Sequence, residues 1–354
     1  MKSLNKKFSY LVAVTLLLLL LQACGNWPVF NAKTHVSVCN TANDNTCNWM
    51  SELLAIHPNK SITLADICLP GSHDAGMYVQ QHCTVFANKG NTQTQYLPMQ
   101  QQLEAGLRLF DIRPSYWHNV FYTQHATRCD GLGCKGDDLK NMFQATAVFL
   151  ATHPELVVLN MSHYCHTSAD DTMLLNLLTR TLGRYMYRQP QPVNKPLIQI
   201  PLNEIIPPGS KTGKVILLLE DAANTDANKA QGFFSHAVWP RAGGWTNDNQ
   251  YPLLLQHQLT NFNNYTGNGA ALYELAWQIT QHDEQALRSA LFANARVSIV
   301  YGAEAANKQL PGVLDSLIKC GSIRKGKIPN ILWSDFADTM VVHQCIKLSR
   351  VSVE

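Results

Sequence analysis

Short apolar runs recur along the chain, most of them apolar at nearly every position rather than at alternate ones. ITLADICLP (62–70), GLRLFDIR (106–113), NVFYTQH (119–125), LVVLNMSH (156–163) and KVILLLED (214–221) read as strands. ALYELAWQIT (271–280) and NILWSDF (330–336) follow, with VSIVYG (297–302) as a further candidate. Strands apolar on both faces are covered on both faces, which points to a parallel sheet. Between them, DDLKNMFQATAVFLATHPE (137–155) and NKQLPGVLDSLIKC (307–320) place apolar residues at helical spacing. Seven or eight strand–helix units over this length predict an α/β fold, a distorted TIM-type (β/α) barrel that closes on itself.

The ends of these strands carry the polar residues. The first run leads into LPGSHDAG (69–76), and so to His73 and Asp74. The second ends in Asp111 and Arg113, the third in His125, the fourth in His163, the fifth in Glu220-Asp221 and the last in Asp335. A barrel gathers its strand C-termini on one rim, where these residues would surround a single pocket. Taken alone, Ser72 and Asp74 could merely cap a helix, and Arg113 could merely pair with Asp111. Trp277 and Tyr273 read as packing residues, and His236, His257 and His282 receive no role. Two imidazoles, several carboxylates and a guanidinium suit acid–base phosphoryl transfer. One neutral His takes a proton, a second protonated His gives one, and the arginine neutralises phosphorus-bound oxygen charge.

Composition narrows the setting. The 354 residues are 46% hydrophobic and 15% charged, which is globular and not disordered. MKSLNKKFSY is basic, and LVAVTLLLLLLQA is an apolar stretch that ends at Cys24. This is a secretory signal over residues 1–23, too short for a comfortable membrane span. LLQAC resembles the bacterial lipobox, in which Cys24 would be lipidated and become the mature N-terminus; Gln22 departs from it, so cleavage without lipid stays open. The expected setting is an exported bacterial protein, anchored at the outer membrane or in the periplasm, or secreted. The net charge of +3 belongs to the signal's three lysines, and the remaining chain carries 25 basic and 25 acidic residues. No dense Lys/Arg run remains, which argues against nucleic-acid binding.

Ten cysteines in an exported chain imply disulfides. Short spacing suggests Cys39–Cys47 and Cys129–Cys134, elimination then suggests Cys83–Cys165 and Cys320–Cys345, and Cys68 inside the first apolar run reads as a buried free thiol. A metal site at Cys129 and Cys134 lacks the second pair it would need. Residues 25–60 read as an Asn-rich lead and 61–354 as the catalytic barrel.

Together, LPGSHDAG, MQQQLEAG, GLRLFDIRP, the His after the third strand, FLATHPELVVLNMS, LAWQIT and ILWSDF resemble the X-domain family of phosphatidylinositol-specific phospholipases C, in particular its secreted bacterial members. The resemblance spans residues 65–340. It implies a phosphodiesterase barrel that acts on phospholipid at a membrane surface, as a monomer without cofactor. It implies that His73 is the general base with Asp335 behind it, and that His125 is the general acid with Asp74 behind it. Arg113 would contact the phosphate, with Asp111 beside it. The inositol 2-hydroxyl would attack phosphorus, giving diacylglycerol and a cyclic inositol phosphate. In the metal-dependent branch of the family an acid stands in place of Arg113 and an Asn in place of Asp74, so this chain is expected to need no calcium. Glu220 stands where a basic headgroup contact is expected, and His163 where a lysine is expected; both are retained as substrate-binding candidates. The competing readings are a metal-dependent glycerophosphodiester phosphodiesterase and a catalytically inactive lipoprotein that binds inositol phosphates or glycolipids.

Overall fold

The computed structural model describes residues 46–129, 131–165, 167–220, 222–291 and 297–354. The signal segment, Cys24, Cys39 and Asp221 lie outside them. Eight parallel strands form one curled sheet in the order β8-β7-β6-β2-β1-β11-β10-β9. They are β1 (Leu69–Ser72), β2 (Leu109–Ile112), β6 (Leu156–Met161), β7 (Lys214–Leu219), β8 (Phe233–Ser235), β9 (Arg241–Gly243), β10 (Leu272–Trp277) and β11 (Ile331–Ser334). β1 joins the first and last parts of the chain by pairing with both β11 and β2. Among the described residues β8 and β9 share no ladder, so the barrel is distorted and open on that side rather than closed. In β6 every residue is buried, and in β7 every residue after Lys214, as expected of strands covered by helices outside and side chains inside.

A second sheet stands apart from the barrel. β3 (Ser115–Trp117), β4 (Val120–Ala126) and β5 (Gly133–Asp138) pair antiparallel. NVFYTQH is therefore a strand, but not a barrel strand. Two other readings change. In ITLADICLP, Thr63 and Asp66 form a capping box on a 3₁₀ turn at 64–66, so the strand begins only at Leu69. VSIVYG opens the helix Ile299–Lys319, with the Ser298 side chain accepting from the Tyr301 N–H. The helix expected over 137–155 runs Leu139–Leu150, and it buries Met142, Phe143, Thr146, Phe149 and Leu150.

Among the described residues the cysteine pairing differs from the expected Cys129–Cys134, Cys83–Cys165 and Cys320–Cys345, while the expected Cys39–Cys47 pair includes Cys39, which lies outside them. Cys83 bonds Cys134, and Cys129 bonds Cys165. The β4–β5 hairpin carries Cys134 to the loop that follows β1, and its tip carries Cys129 to the end of β6, so sequence neighbours end up on different partners. Cys320 is exposed while Cys345 is buried, and neither is bonded; Cys68 is a buried free thiol as expected. Cys47 is disulfide-bonded.

The base of the barrel is closed by a buried ion pair. Arg108 Nε lies 2.9 Å from Glu155 Oε2, and both side chains are fully buried. Arg108 also donates to the carbonyls of Leu103, Leu107 and Cys47, and its guanidinium lies 4.8 Å from the centre of the Phe149 ring. Glu155 accepts from the N–H groups of Met50 (3.3 Å) and Ser51 (2.8 Å) in the first turn of the helix Trp49–Ile56. That helix buries Trp49, Met50 and Leu53 in the main core. Replacing Glu155 by Ala strands a guanidinium and two N–H groups in the interior. The expected loss is about 3–5 kcal/mol, read from urea denaturation midpoints at constant m. A loss below about 1 kcal/mol, the scale of an exposed pair, would refute the seal.

Candidate active site

His73 and Asp74 stand at the first turn beyond β1, and the two glycines around them have separate causes. A Cβ at Gly71 would lie 2.6 Å from the Trp333 ring of β11, and one at Gly76 would lie 2.2 Å from Thr123 of β4. Gly71 thus lets β11 press its indole against β1, and Gly76 lets the small sheet approach the barrel. Between them Asp74 takes a left-handed backbone (φ 44°) and is wholly buried. Such backbone costs on the order of 1–3 kcal/mol for a non-glycine residue and is found mainly at functional sites.

His73 is the hub. Its Nδ1 lies 2.7 Å from Asp335 Oδ1, and its Nε2 lies 2.9 Å from Arg113 Nη2 and 3.5 Å from Asp74 Oδ2. The Arg113 guanidinium reaches Asp74 Oδ1 through Nε at 2.7 Å and Asp111 Oδ2 through Nη2 at 3.0 Å. Burial alone would depress the His73 pKa; Asp74 and Asp335 outweigh it and lift the pKa to about 9, with Arg113 opposing. A guanidinium only donates, so the Arg113 contact is met by the ring with its proton on Nδ1 toward Asp335 and its Nε2 free. That neutral form dominates above the shifted pKa. Burial would raise Asp74, but Arg113, then His73, His125 and His163, hold it below the ordinary carboxylate value. Arg113 is raised, because Asp111 and Asp74 outweigh its burial.

His125 approaches from β4. Its Nδ1 lies 3.2 Å from the Thr92 carbonyl and 3.9 Å from Asp74 Oδ2. The nearer partner is thus a backbone carbonyl, with Asp74 beyond hydrogen-bond distance. His163 and Glu220 are joined, since the His163 N–H donates to Glu220 Oε2 at 2.6 Å. The Ser162 hydroxyl links His163 Nδ1 (2.8 Å) with Asp111 Oδ1 (3.4 Å).

One pocket of about 370 Å³ is lined by His73, Asp111, Arg113, His125, His163 and Glu220. Asp74 and Asp335 lie behind its wall as buried partners. All eight site residues expected from the sequence therefore come together. The far half of the pocket went unseen in the sequence: Arg241 and Glu274, 3.7 Å apart, His236, and the indoles of Trp245 and Trp333. Trp333 donates its indole N–H to Glu274. Burial raises the Glu274 pKa more than Arg241 lowers it. Burial, and then Arg241, lower His236. Glu274 lies between the buried Tyr273 and Leu275 in β10, a signal that period-2 alternation could have revealed. Gln95 and Asn307 were also missed. The Gln95 amide donates to the His73 carbonyl (2.7 Å), and Asn307 donates to the Asp335 carbonyl (2.9 Å).

His73, Asp74 and Asp111 have oxygen and nitrogen atoms within 4.8 Å of one another, a spacing that could hold a cation. The Arg113 guanidinium already contacts all three residues, so the set is better matched to that fixed cation than to a metal ion. Among the described residues, no helix is long and apolar enough to cross a membrane.

No family model matches the chain, and no curated protein does. Solved structures do. The phosphatidylinositol-specific phospholipase C of Listeria monocytogenes aligns over 86% of this chain and 98% of its own at 20% identity, with a TM-score of 0.62. That of Staphylococcus aureus aligns over 86% and 97% at 17% identity, with a TM-score of 0.58. An alignment that spans nearly the whole of each neighbour and most of this chain shows that the chain has the fold of the bacterial phosphatidylinositol-specific phospholipases C.

Proposed function

We propose that the chain is a metal-independent phosphodiesterase of the lyase type, acting on phosphatidylinositol-type phospholipids. The observation that carries this reading is the placement of His73 between Asp335 and Arg113 on the wall of a pocket that His125 also lines. His73 Nε2 takes the proton of the inositol 2-hydroxyl, and that oxygen bonds to phosphorus. The bond from phosphorus to the diacylglycerol oxygen breaks, and His125 gives its proton to the leaving oxygen. The products are diacylglycerol and a cyclic inositol phosphate. Nucleophile and phosphorus belong to one substrate, so the attack needs no second encounter. Arg113 neutralises charge on the phosphorus oxygens, Asp335 holds the base in its tautomer, and Asp74 and Asp111 hold Arg113. His163 and Glu220, with Arg241 and Glu274 opposite, contact the headgroup hydroxyls.

Val85, Phe86, Leu132 and Trp245 are exposed apolar residues. Trp245 also lines the pocket, and Val85, Phe86 and Leu132 flank the Cys83–Cys134 bridge beside the strand that bears His125. They suit an enzyme that works against a lipid surface. With the signal over residues 1–23, lipidation at Cys24 and the disulfides, the setting is an exported bacterial protein whose catalytic barrel occupies nearly all of the mature chain.

The test is incubation with phosphatidylinositol vesicles in excess chelator, followed by phosphorus NMR. Cyclic inositol phosphate is expected at the same rate as without chelator. Cyclic product that forms only when calcium is restored would overturn the role of Arg113, and calcium-dependent release of a glycerol phosphate in its place would favour the metal-dependent glycerophosphodiesterase reading.

A further inference from the structure

The imidazole on β4 is the one member of the site that the barrel does not carry. β3, β4 and β5 share no ladder with the eight-stranded sheet, so no barrel ladder fixes where His125 points. The His125 end of this sheet is tied to the barrel loops covalently as well as by backbone hydrogen bonds. His125 faces Cys134 across the β4–β5 ladder, and Cys134 bonds Cys83 in the loop that follows His73 and Asp74. That loop returns within nine residues to Thr92, whose carbonyl lies 3.2 Å from His125 Nδ1. The Thr92 hydroxyl oxygen lies 3.4 Å from Cys134 Sγ, and Thr92 is buried. Cross-strand pair, disulfide, loop and carbonyl therefore make a closed frame around the ring. Backbone bonds brace it: Gln81 and Lys135 exchange both N–H groups at 2.7 and 2.8 Å, and the Thr84 N–H reaches the Gly133 carbonyl at 2.9 Å.

The second bridge holds the same hairpin from the other side. Cys129 lies at the tip beyond Ala126, and Cys165 lies two residues after His163. The Cys165 backbone bonds Pro114 and Tyr116 at the start of the small sheet, at 2.7 and 3.1 Å. The two disulfides thus run from the hairpin to the two barrel loops that carry His73–Asp74 and His163.

We infer that Cys83–Cys134, Cys129–Cys165 and Thr92 are positioning residues for His125 as proton donor to the leaving group. This rests on the phospholipase reading above. The Thr92 carbonyl accepts a hydrogen bond from Nδ1–H and leaves Nε2 for the pocket, and the bridges keep that carbonyl and the ring in register. A misplacement of about 1 Å is enough to cost roughly a hundredfold in turnover.

The test separates positioning from folding by the leaving group. An alkoxide such as diacylglycerol needs protonation as it departs, whereas nitrophenolate does not. Cys83→Ala/Cys134→Ala and, separately, Cys129→Ala/Cys165→Ala are assayed on a short-chain, monomeric phosphatidylinositol, which needs no membrane contact, and on the inositol nitrophenyl phosphodiester, with His125→Ala as the reference. The expected result is a kcat loss of roughly ten- to a hundredfold on phosphatidylinositol, with nitrophenyl turnover close to wild type. The nitrophenyl reaction reports that the barrel is folded, and the second bridge carries the test if circular dichroism finds the first variant unfolded. Equal losses on both substrates, or no loss on either, would overturn the inference. Wild-type protein inert toward both substrates would instead sink the phospholipase reading itself.

Discussion

His73→Ala is expected to lower kcat on phosphatidylinositol by about 10²–10⁴-fold. The ring lines the pocket while its Nδ1 rests 2.7 Å from the Asp335 carboxylate, which suits the role of base proposed for it. Removing it leaves Asp335 without its imidazole and Arg113 without its Nε2 contact, so binding should change less than turnover. The loss should therefore fall on kcat more than on KM. Because the folded pKa is raised to about 9, wild-type kcat/KM should climb with pH across the neutral range, as the base form of the free site becomes populated. Stability should move the other way. A pKa raised in the folded state stabilises fully below the unfolded value near 6.5 and loses that contribution as pH rises toward 9. Wild-type Tm should fall more steeply over this window than that of His73→Ala. Parallel Tm curves, or a variant with near wild-type kcat, would remove His73 from its proposed role.

Arg113→Gln is expected to cost about 10²–10³-fold in kcat, the scale for losing one preorganised electrostatic contact to the reacting oxygens. Glutamine keeps a donor amide but no charge, so the loss reports the cation itself. The change also touches stability. Arg113 leads the groups that pull the buried Asp74 below its ordinary value. A depressed carboxylate stabilises above its unfolded pKa, and that contribution is lost as pH falls through the folded value. Without the guanidinium, the Asp74 pKa should rise and the variant should lose stability at neutral pH. Thermal denaturation at pH 7 and at acid pH checks this: the gap between wild type and variant should shrink toward acid. A gap that is constant with pH would show that Arg113 does not hold Asp74 ionised.

The sequence was most readable where one physical cause acted alone. β6 and β7 are apolar on both faces and could only be interior parallel strands. The residues just past β1, β2 and β11 had to meet at one rim once a barrel was granted, and His73, Arg113 and Asp335 do meet there. The misreadings arose where causes competed. NVFYTQH half-alternates, with Val120 and Tyr122 less buried than Phe121 and Thr123, which is the signature of a sheet covered on one face. Its place in a series of strands hid that signal. VSIVYG is β-branched, yet a serine cap and the burial of Ile299 and Val300 turn it helical. Arg241 and Glu274 share no sequence motif; they meet because β9 pairs with β10, which sets Arg241 opposite Leu272, two residues from Glu274. Cysteine pairing was least legible, because it follows from where a hairpin tip lands in space, and spacing along the chain does not record that.

The helix Trp49–Ile56 has a further implication. Its first-turn amides supply hydrogen bonds to Glu155, and the Cys47 carbonyl accepts from Arg108. The stretch just upstream of the barrel is therefore its floor. A shortened chain that began at residue 61 would open a hydrophilic hole beneath β2 and β6, the strand pair that holds Asp111 and Ser162 on the opposite rim.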